Sequence, residues 1–358
     1  MSDFVQRYGR IMTAYVMLTC TVWLLGMVLL PQLLMVDYSL WSRDEVAQSR
    51  AMRTIDSLED RLDAIDDEVD TLSAQADKAA TPALRAEAKA KIDRLEKEAD
   101  AINTEFKPLD KVVKEPPRIY GFKNYLYLLT NALHRSIFLK TLLVSLLVTF
   151  TALALCYPIA YYLAHVADGR RAGVIIMGLL VPYWVNEILR TFAWLMILSR
   201  NGLFNTILTS LGLAAQPVDF LNSNSGVIIG MVYCYVLFMV FPIYNTLDTL
   251  DHNQIEAARD LGASWPKIHR RIAIPHAKPG IAVGCIMTFM VAVGTYAVPS
   301  ILGGTSSLWF TQIIYSWFFD GGNWNQGAAY AFTLLLLCIG FVLLMLRVFR
   351  VRLEEMAR

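Results

Sequence analysis

Charged residues are scarce in this sequence, which excludes the commonest class of protein. Only 18% of the 358 residues are charged, whereas 56% are hydrophobic, and the net charge is +1. Soluble globular domains carry about 25% charged residues, so the composition predicts a membrane protein in contact with lipid. The near-neutral total says nothing about nucleic acid, and a nucleic-acid partner is not expected.

The sequence also lacks the motifs of common catalytic and metal sites. No phosphate-binding loop of the form G-x-x-x-x-G-K-[ST] occurs, so we expect no cofactor on this chain. No arrangement typical of catalysis or metal binding stands out, and the chain is predicted not to be an enzyme. The cysteines lie within apolar segments, without paired or metal-type spacing, and are predicted to be small core residues: Cys20, Cys156, Cys234, Cys285 and Cys338.

Apolar runs of about twenty residues are long enough to cross a bilayer. Six can be placed, and together they predict an all-α integral membrane protein with six transmembrane helices. They are Ile11 to Val36, Ile137 to Ala164, Gly173 to Leu198, Gly226 to Leu247, Ile281 to Leu302 and Gly327 to Leu346.

Basic residues cluster in every second loop. Arg200 stands alone after the third span, and no Lys or Arg occurs between Gly303 and Gln326. The positive-inside rule therefore predicts that both termini and the loop at 248–280 are cytoplasmic. The basic loops and tails contain Arg7, Arg10, Arg170, Arg171, Arg259, Lys267, Arg270, Arg271, Lys278, Arg347, Arg350, Arg352 and Arg358.

The segment between the first two spans is unusually polar. Residues 43 to 123 contain 19 of the 31 acidic residues and 15 basic ones. Apolar residues recur there every three or four positions, from Ile55 to Leu72 and from Leu84 to Phe106, with a break at Thr81 and Pro82. This pattern predicts an antiparallel helical hairpin in the periplasm. Two interpretations stay open: a solvated spacer, or an arm that contacts a periplasmic partner.

The loop after the fourth span has well-defined helix signals. Asp251 is an N-cap residue type, and Gly262 follows Leu261 where a left-handed C-cap belongs. Ser264 can cap a second helix, which Pro275 and Pro279 are predicted to stop. The nearby histidines, His252, His269 and His276, are interpreted as surface or packing residues.

This loop resembles that of a known family, the permease subunits of binding-protein-dependent (type I) ABC importers. The family pattern is EAA, three residues, Gly, nine residues, then Ile-x-Leu-Pro. The chain matches it at Glu256, Ala257, Ala258, Gly262, Ile272 and Pro275, with Ile274 in place of Leu. The stretches VPYWVNEILRTFAWLMIL and NGLFN are similar to the polyamine (spermidine/putrescine)-type branch.

The resemblance implies a function and a set of partners. The loop would be the coupling helix that docks on a dimer of ATP-binding cassette subunits, which carry the ATP and Mg²⁺. A second permease subunit, related but different, and a periplasmic substrate-binding protein would complete the importer in the bacterial inner membrane. The domains implied are 1–36 (first span), 37–118 (hairpin insertion), 119–346 (permease core) and 347–358 (cytoplasmic tail).

Glu187 and Arg190 lie three residues apart in the third span. An exposed charge there would cost roughly 2.5 to 3.5 kcal/mol, so both side chains must face protein, water or each other. A mutual ion pair and a role in the substrate path stay open. Polar and aromatic residues predicted near the same depth are Tyr183, Trp184, Asn186, Thr295 and Tyr296.

Two other functions remain as alternatives. An ion-coupled secondary transporter would leave the coupling loop without a purpose, and no inverted repeat is evident. A coiled-coil membrane scaffold would need no charges within its spans. ATP dependence of uptake separates an importer from the first, and any uptake at all excludes the second.

Overall fold

The computed structural model describes residues 2–78, 82–304 and 307–351, which are almost entirely helical. The first span consists of α1 (Ser2–Trp23), a π-helical turn (Leu24–Leu29) and α2 (Leu30–Leu40). The remaining core elements are α5 (Lys123–Thr130), α6 (Ala132–His165), α7 (Gly169–Leu180), α8 (Glu187–Leu198), α9 (Leu203–Ser210), α10 (Asn224–Asp248), α11 (His252–Asp260), α12 (Trp265–Ile268), α13 (Ile274–Gly294), α14 (Ala297–Leu302), α15 (Phe310–Phe319) and α16 (Trp324–Phe349).

The hairpin is a compact unit of its own, Leu40–Asn124. Its arms are α3 (Glu45–Lys78) and α4 (Pro82–Lys114), joined at their base by an antiparallel pair of strands, β1 (Trp41–Arg43) and β2 (Arg118–Tyr120). The predicted helical hairpin is confirmed, because its seam residues Leu58, Ile65 and Ile102 are buried between the arms. The predicted break at Thr81 falls outside the described residues.

Within the described part of the chain, five helical segments are long and apolar enough to cross a membrane. They confirm the first, second, fourth and sixth predicted spans and the first part of the fifth, and they are Ile11–Leu40, Ala132–His165, Asn224–Asp248, Trp265–Gly294 and Trp324–Phe349. The third span was predicted as one helix, Gly173 to Leu198. It is instead a pair of helical segments, Gly169–Trp184 and Glu187–Ser210, that meet at an angle of 102°.

The third span breaks because two residues leave the helical conformation. Val185 and Asn186 have extended backbone, with ψ of 136° and 143°. The Asn186 side chain accepts a hydrogen bond from the backbone N–H of Ile188 at 2.8 Å, which starts α8 anew. The six predicted spans therefore correspond to five continuous helical segments and one bent pair.

The prediction that Pro275 and Pro279 stop the second helix of the loop was wrong. Helical structure runs from Trp265 to Gly294, and a π-helical segment, His269–Ala273, leads directly into Pro275. Proline removes one N–H and crowds the preceding turn. Here the wider π turn just before Pro275 lets the helix continue. The predicted fifth span, Ile281 to Leu302, is also interrupted, because Thr295 is extended and α14 starts afresh.

The membrane core is densest where α10, α13 and α6 meet. A β-carbon on Gly280 of α13 would lie 2.3 Å from the carbonyl oxygen of Pro242 in α10, so the two backbones touch. The buried cluster around this contact includes Ile243, Leu247 and Ile281 and extends to Ile255 of α11 and Ile268 of α12. The loop is therefore anchored directly to the membrane core.

Candidate functional site

The predicted coupling helix is α11, and its first turn is capped as expected. Asp251 Oδ1 accepts a hydrogen bond from the Asn253 N–H at 3.0 Å. Ile255 is only 1% exposed, which fixes the face of α11 that meets the core. Glu256 and Ala257 consequently face solvent, and the Glu256 carboxylate lies 3.4 Å from His252 one turn earlier.

Gly262 reverses the chain after α11. Its φ is +76°, and its N–H donates to the carbonyl of Arg259 at 2.8 Å. The Ala263 N–H donates to the carbonyl of Ala258 at 2.9 Å, which completes the left-handed helix end. Leu261 projects at this turn with 89% of its surface exposed. A large apolar side chain is thus presented outward beside Glu256 and Ala257.

The second half of the loop holds the turn in place. Ser264 occupies the N-cap position of α12, but its side chain makes no cap hydrogen bond. The Arg259 guanidinium carbon lies 4.9 Å from the Trp265 ring centre, and Trp265 stacks on His269 at 5.1 Å. His269 Nδ1 is in turn 2.9 Å from the Tyr157 hydroxyl of α6.

Of the remaining motif residues, Ile272 is half-buried in the π turn, and Pro275 is exposed in the first turn of α13. Both lie within one continuous helical segment. A movement of α11 can therefore pass along α12 and the π turn into α13, which belongs to the membrane core. The contact of His269 with Tyr157 was not foreseen, because it joins residues that lie 112 positions apart in the sequence.

The residues predicted to line a substrate path gather at the two helix breaks. Tyr183, Trp184, Asn186, Glu187 and Arg190 lie at the bend between α7 and α8. Thr295 and Tyr296 lie between α13 and α14, and α14 packs against α8.

Glu187 and Arg190 do not form an ion pair in this structure. Glu187 Oε1 accepts a hydrogen bond from the Tyr235 hydroxyl of α10 at 2.9 Å. The Arg190 guanidinium carbon lies 4.2 Å from the centre of the Tyr183 ring. Arg190 Nε and Nη1 are buried and have no hydrogen-bond partner among the described residues. Each charge is thus held by a different tyrosine.

Tyr235 links the two breaks and was missed by the sequence reasoning. It is 2% exposed, and its hydroxyl interacts with Thr295 as well as with Glu187. A tyrosine in an apolar span carries no signal of such a role. Other candidates are open to the surroundings: Trp184 is 82% exposed, and Tyr296 is 43% exposed and packs on Tyr315 at 4.9 Å. Exposed aromatic faces beside a carboxylate can bind cations.

Comparisons with known proteins establish the family. Residues 132–352 match the family described as "Binding-protein-dependent transport system inner membrane component". The chain belongs to this family. It is the permease subunit of an ABC importer, a multi-pass protein of the inner membrane, and it acts together with ATP-hydrolysing and substrate-binding components. The hairpin precedes the matched residues.

Curated relatives place the chain in the polyamine branch of the family. It is 35% identical over 226 residues to the spermidine/putrescine transport system permease protein PotB of Escherichia coli (strain K12), which covers 63% of this chain and 81% of the relative. It is 30% identical over 217 residues to the inner membrane ABC transporter permease protein YdcU of the same organism, covering 58% and 68%.

A solved structure shows the same fold. A chain of a bacterial ABC transporter involved in the import of the acidic polysaccharide alginate superposes with a TM-score of 0.56 at 17% identity, covering 68% of this chain and 89% of that chain.

Proposed function

We propose that this permease imports a polyamine or a related small organic amine, and that ATP hydrolysis on partner subunits drives it through the α11 loop. The observation that carries the coupling proposal is the geometry of α11. The helix is anchored through Ile255 and presents Glu256, Ala257 and Leu261 to solvent beside the Gly262 turn. An exposed, rigidly held helix of this kind suits docking into a groove on another protein.

The mechanism follows from how the loop is connected. Closure of an ATP-bound dimer would pull two such loops together, one from each permease subunit. Because α12, the π turn and α13 are continuous, that motion would tilt α13 against α10 and open the cavity outward. ATP and Mg²⁺ would be bound on the ATPase subunits, since this chain contains no phosphate-binding loop.

The proposed partners are an ATPase dimer, a second and related permease chain, and a periplasmic binding protein. The exposed apolar surface of the first span supports the proposal of a second permease subunit. In the segment Ile11–Leu40 most side chains are exposed, including Leu18, Leu25 and Leu33. This apolar surface is available to a neighbouring subunit as well as to lipid.

The orientation is part of the proposal. With both termini and the α11 loop in the cytoplasm, the basic loops lie inside and the helical hairpin lies in the periplasm. The hairpin can then act as a spacer or as a contact arm for the binding protein.

The substrate class rests on the polyamine-branch relatives and on Glu187. A charged carboxylate within the membrane core carries a large free-energy cost, so its presence there indicates a function. The Glu187 carboxylate is held by Tyr235 beside exposed aromatic rings. Such a site favours a cationic amine. Glu187 would be the acidic group of the path.

Uptake by the complete importer tests the proposal. The permease pair, the ATPase and the binding protein are reconstituted in proteoliposomes, and entry of radiolabelled putrescine is measured. We expect uptake that requires ATP and persists when ion gradients are collapsed. Uptake that follows a proton or sodium gradient without ATP would instead indicate a secondary transporter.

A further inference from the structure

A pocket lies away from the helix breaks, where the first turns of α6 face α15. Its volume is about 440 Å³, within the range of about 300 to 1,000 Å³ that is usual for small-molecule sites. The walls include the apolar side chains of Ile137 and Ile313. The polar lining comes from His134, Gln312, Ser316, Trp317 and Asp320. In the orientation proposed above, this pocket lies at the periplasmic end of the membrane core.

The aromatic part of the pocket is rigid. Trp317 meets Tyr127 edge to face at 6.2 Å and His134 at 6.1 Å. The His134 ring packs against Tyr330 at 5.6 Å, and its Nδ1 lies 2.7 Å from the Tyr330 hydroxyl. These contacts pack around the ring of Trp317, which lines the pocket and gives it an aromatic surface.

The charge of the pocket is negative. Asp320 is exposed at the C-terminal end of α15, and its carboxylate forms no ion pair within the described part of the chain. The C-terminal end of a helix also favours positive charge. No Lys or Arg occurs between Gly303 and Gln326 to neutralise the carboxylate.

The positively charged groups near the pocket are engaged by other parts of the protein. The N-terminus of α6 lines the opposite wall, but the Asn131 side chain caps it by accepting from the His134 N–H at 3.1 Å. Arg135 donates to the Leu129 carbonyl at 2.6 Å and does not line the pocket. Lys140 is held by Ser307 at 3.3 Å and by the Trp309 ring at 5.3 Å.

We propose that this pocket binds one ammonium end of a linear organic amine before the amine moves to the path beside Glu187. Asp320 supplies the counter-charge, and Trp317 supplies the cation–π surface. The apolar walls fit the methylene chain between two amino groups. The inference rests on the proposed amine substrate, and it adds a first binding site on the permease itself.

The test measures binding of radiolabelled putrescine to the purified complex of the permease pair and the ATPase, without ATP and without the binding protein. Asp320→Asn and Trp317→Leu are each expected to weaken binding about three- to fivefold. Trp317→Phe keeps an aromatic ring and should restore much of the loss. Two controls match the changes outside the pocket: Asp219→Asn removes another exposed acid, and Trp324→Leu removes another exposed tryptophan.

Competition defines the ligand chemistry. Unlabelled putrescine should displace the label, whereas 1,4-butanediol, which has the same chain without charge, should not. Equal displacement by butanediol would overturn the claim of a cation site. Wild-type binding by Asp320→Asn and Trp317→Leu would overturn the assignment to this pocket.

Uptake by the wild-type importer is measured in parallel. If the importer does not take up putrescine but the pocket variants still lower binding, the proposed transport substrate fails while the pocket stands. If uptake is intact and the pocket variants bind normally, the further inference alone fails.

Discussion

Replacing Gly262 by valine tests the backbone conformation of the α11 loop without disturbing the rest of the protein. The φ of Gly262 is +76°, and a β-carbon built on it meets no atom within 4 Å. The substitution therefore introduces no clash, and its cost is backbone strain alone. That cost is roughly 1 to 2 kcal/mol for an ordinary L-residue in the left-handed region, and more for a β-branched one.

A strain of that size lowers the population of the native turn relative to an opened turn about 5- to 30-fold. The six spans depend on apolar length and packing, so membrane insertion should be unchanged. The opened turn would misplace Glu256, Ala257 and Leu261 relative to the ATPase. We expect weaker capture of the ATPase in pull-down and a loss of uptake of similar proportion.

The chain offers a matched control and a rescue. Gly212, in the loop after α9, has φ of +72° and likewise no atom within 4 Å of a built β-carbon. Gly212→Val applies the same strain away from the coupling loop and should leave ATPase capture intact. Gly262→Asn tolerates positive φ and should retain much of the activity. Wild-type pull-down and uptake by Gly262→Val would refute the reasoning.

Three further predictions follow from other parts of the fold. Glu187→Gln keeps the shape of the side chain and removes its charge, so amine uptake should fall while the level of assembled importer, measured by purification yield, stays the same; unchanged uptake would exclude Glu187 from the path. Replacing the hairpin segment Val46 to Phe106 by a Gly-Ser linker should preserve insertion but lower uptake when the binding protein is limiting, and unchanged uptake under that condition would remove the contact-arm interpretation. Gly280→Ala should lower the free energy of unfolding by about 1 to 3 kcal/mol, because the new β-carbon would lie 2.3 Å from the Pro242 carbonyl oxygen. We expect a lower yield of the protein in membranes. Gly294→Ala is the control, because a β-carbon there meets no atom within 4 Å.

Local patterns predicted the features that depend on local physics. The hairpin seam follows from heptad spacing, and the caps at Asp251 and Gly262 follow from residue types that satisfy helix ends. The number of spans follows from the length of the apolar runs. Hydropathy does not report whether the backbone stays helical within a run. The bend at Val185 and the extended Thr295 were therefore not visible.

Other features depend on distant partners. Tyr235 lies 48 residues from Glu187, and no periodic pattern connects them. The continuity of the helical segment through Pro275 was missed because proline was expected to end the helix. The π turn before it widens the backbone and removes the conflict.

Cross-linking at the tip of the loop tests the central claim that α11 contacts the ATPase. Leu261 is 89% exposed, and a cysteine placed there, in a chain otherwise free of cysteine, can be joined to cysteines introduced around the ATPase groove. We expect a cross-linked product whose yield changes when ATP is added. A cysteine at Leu213, which is 72% exposed in the loop after α9, should give none. No product from position 261, or equal product from both positions, would contradict the assignment of α11 as the coupling helix.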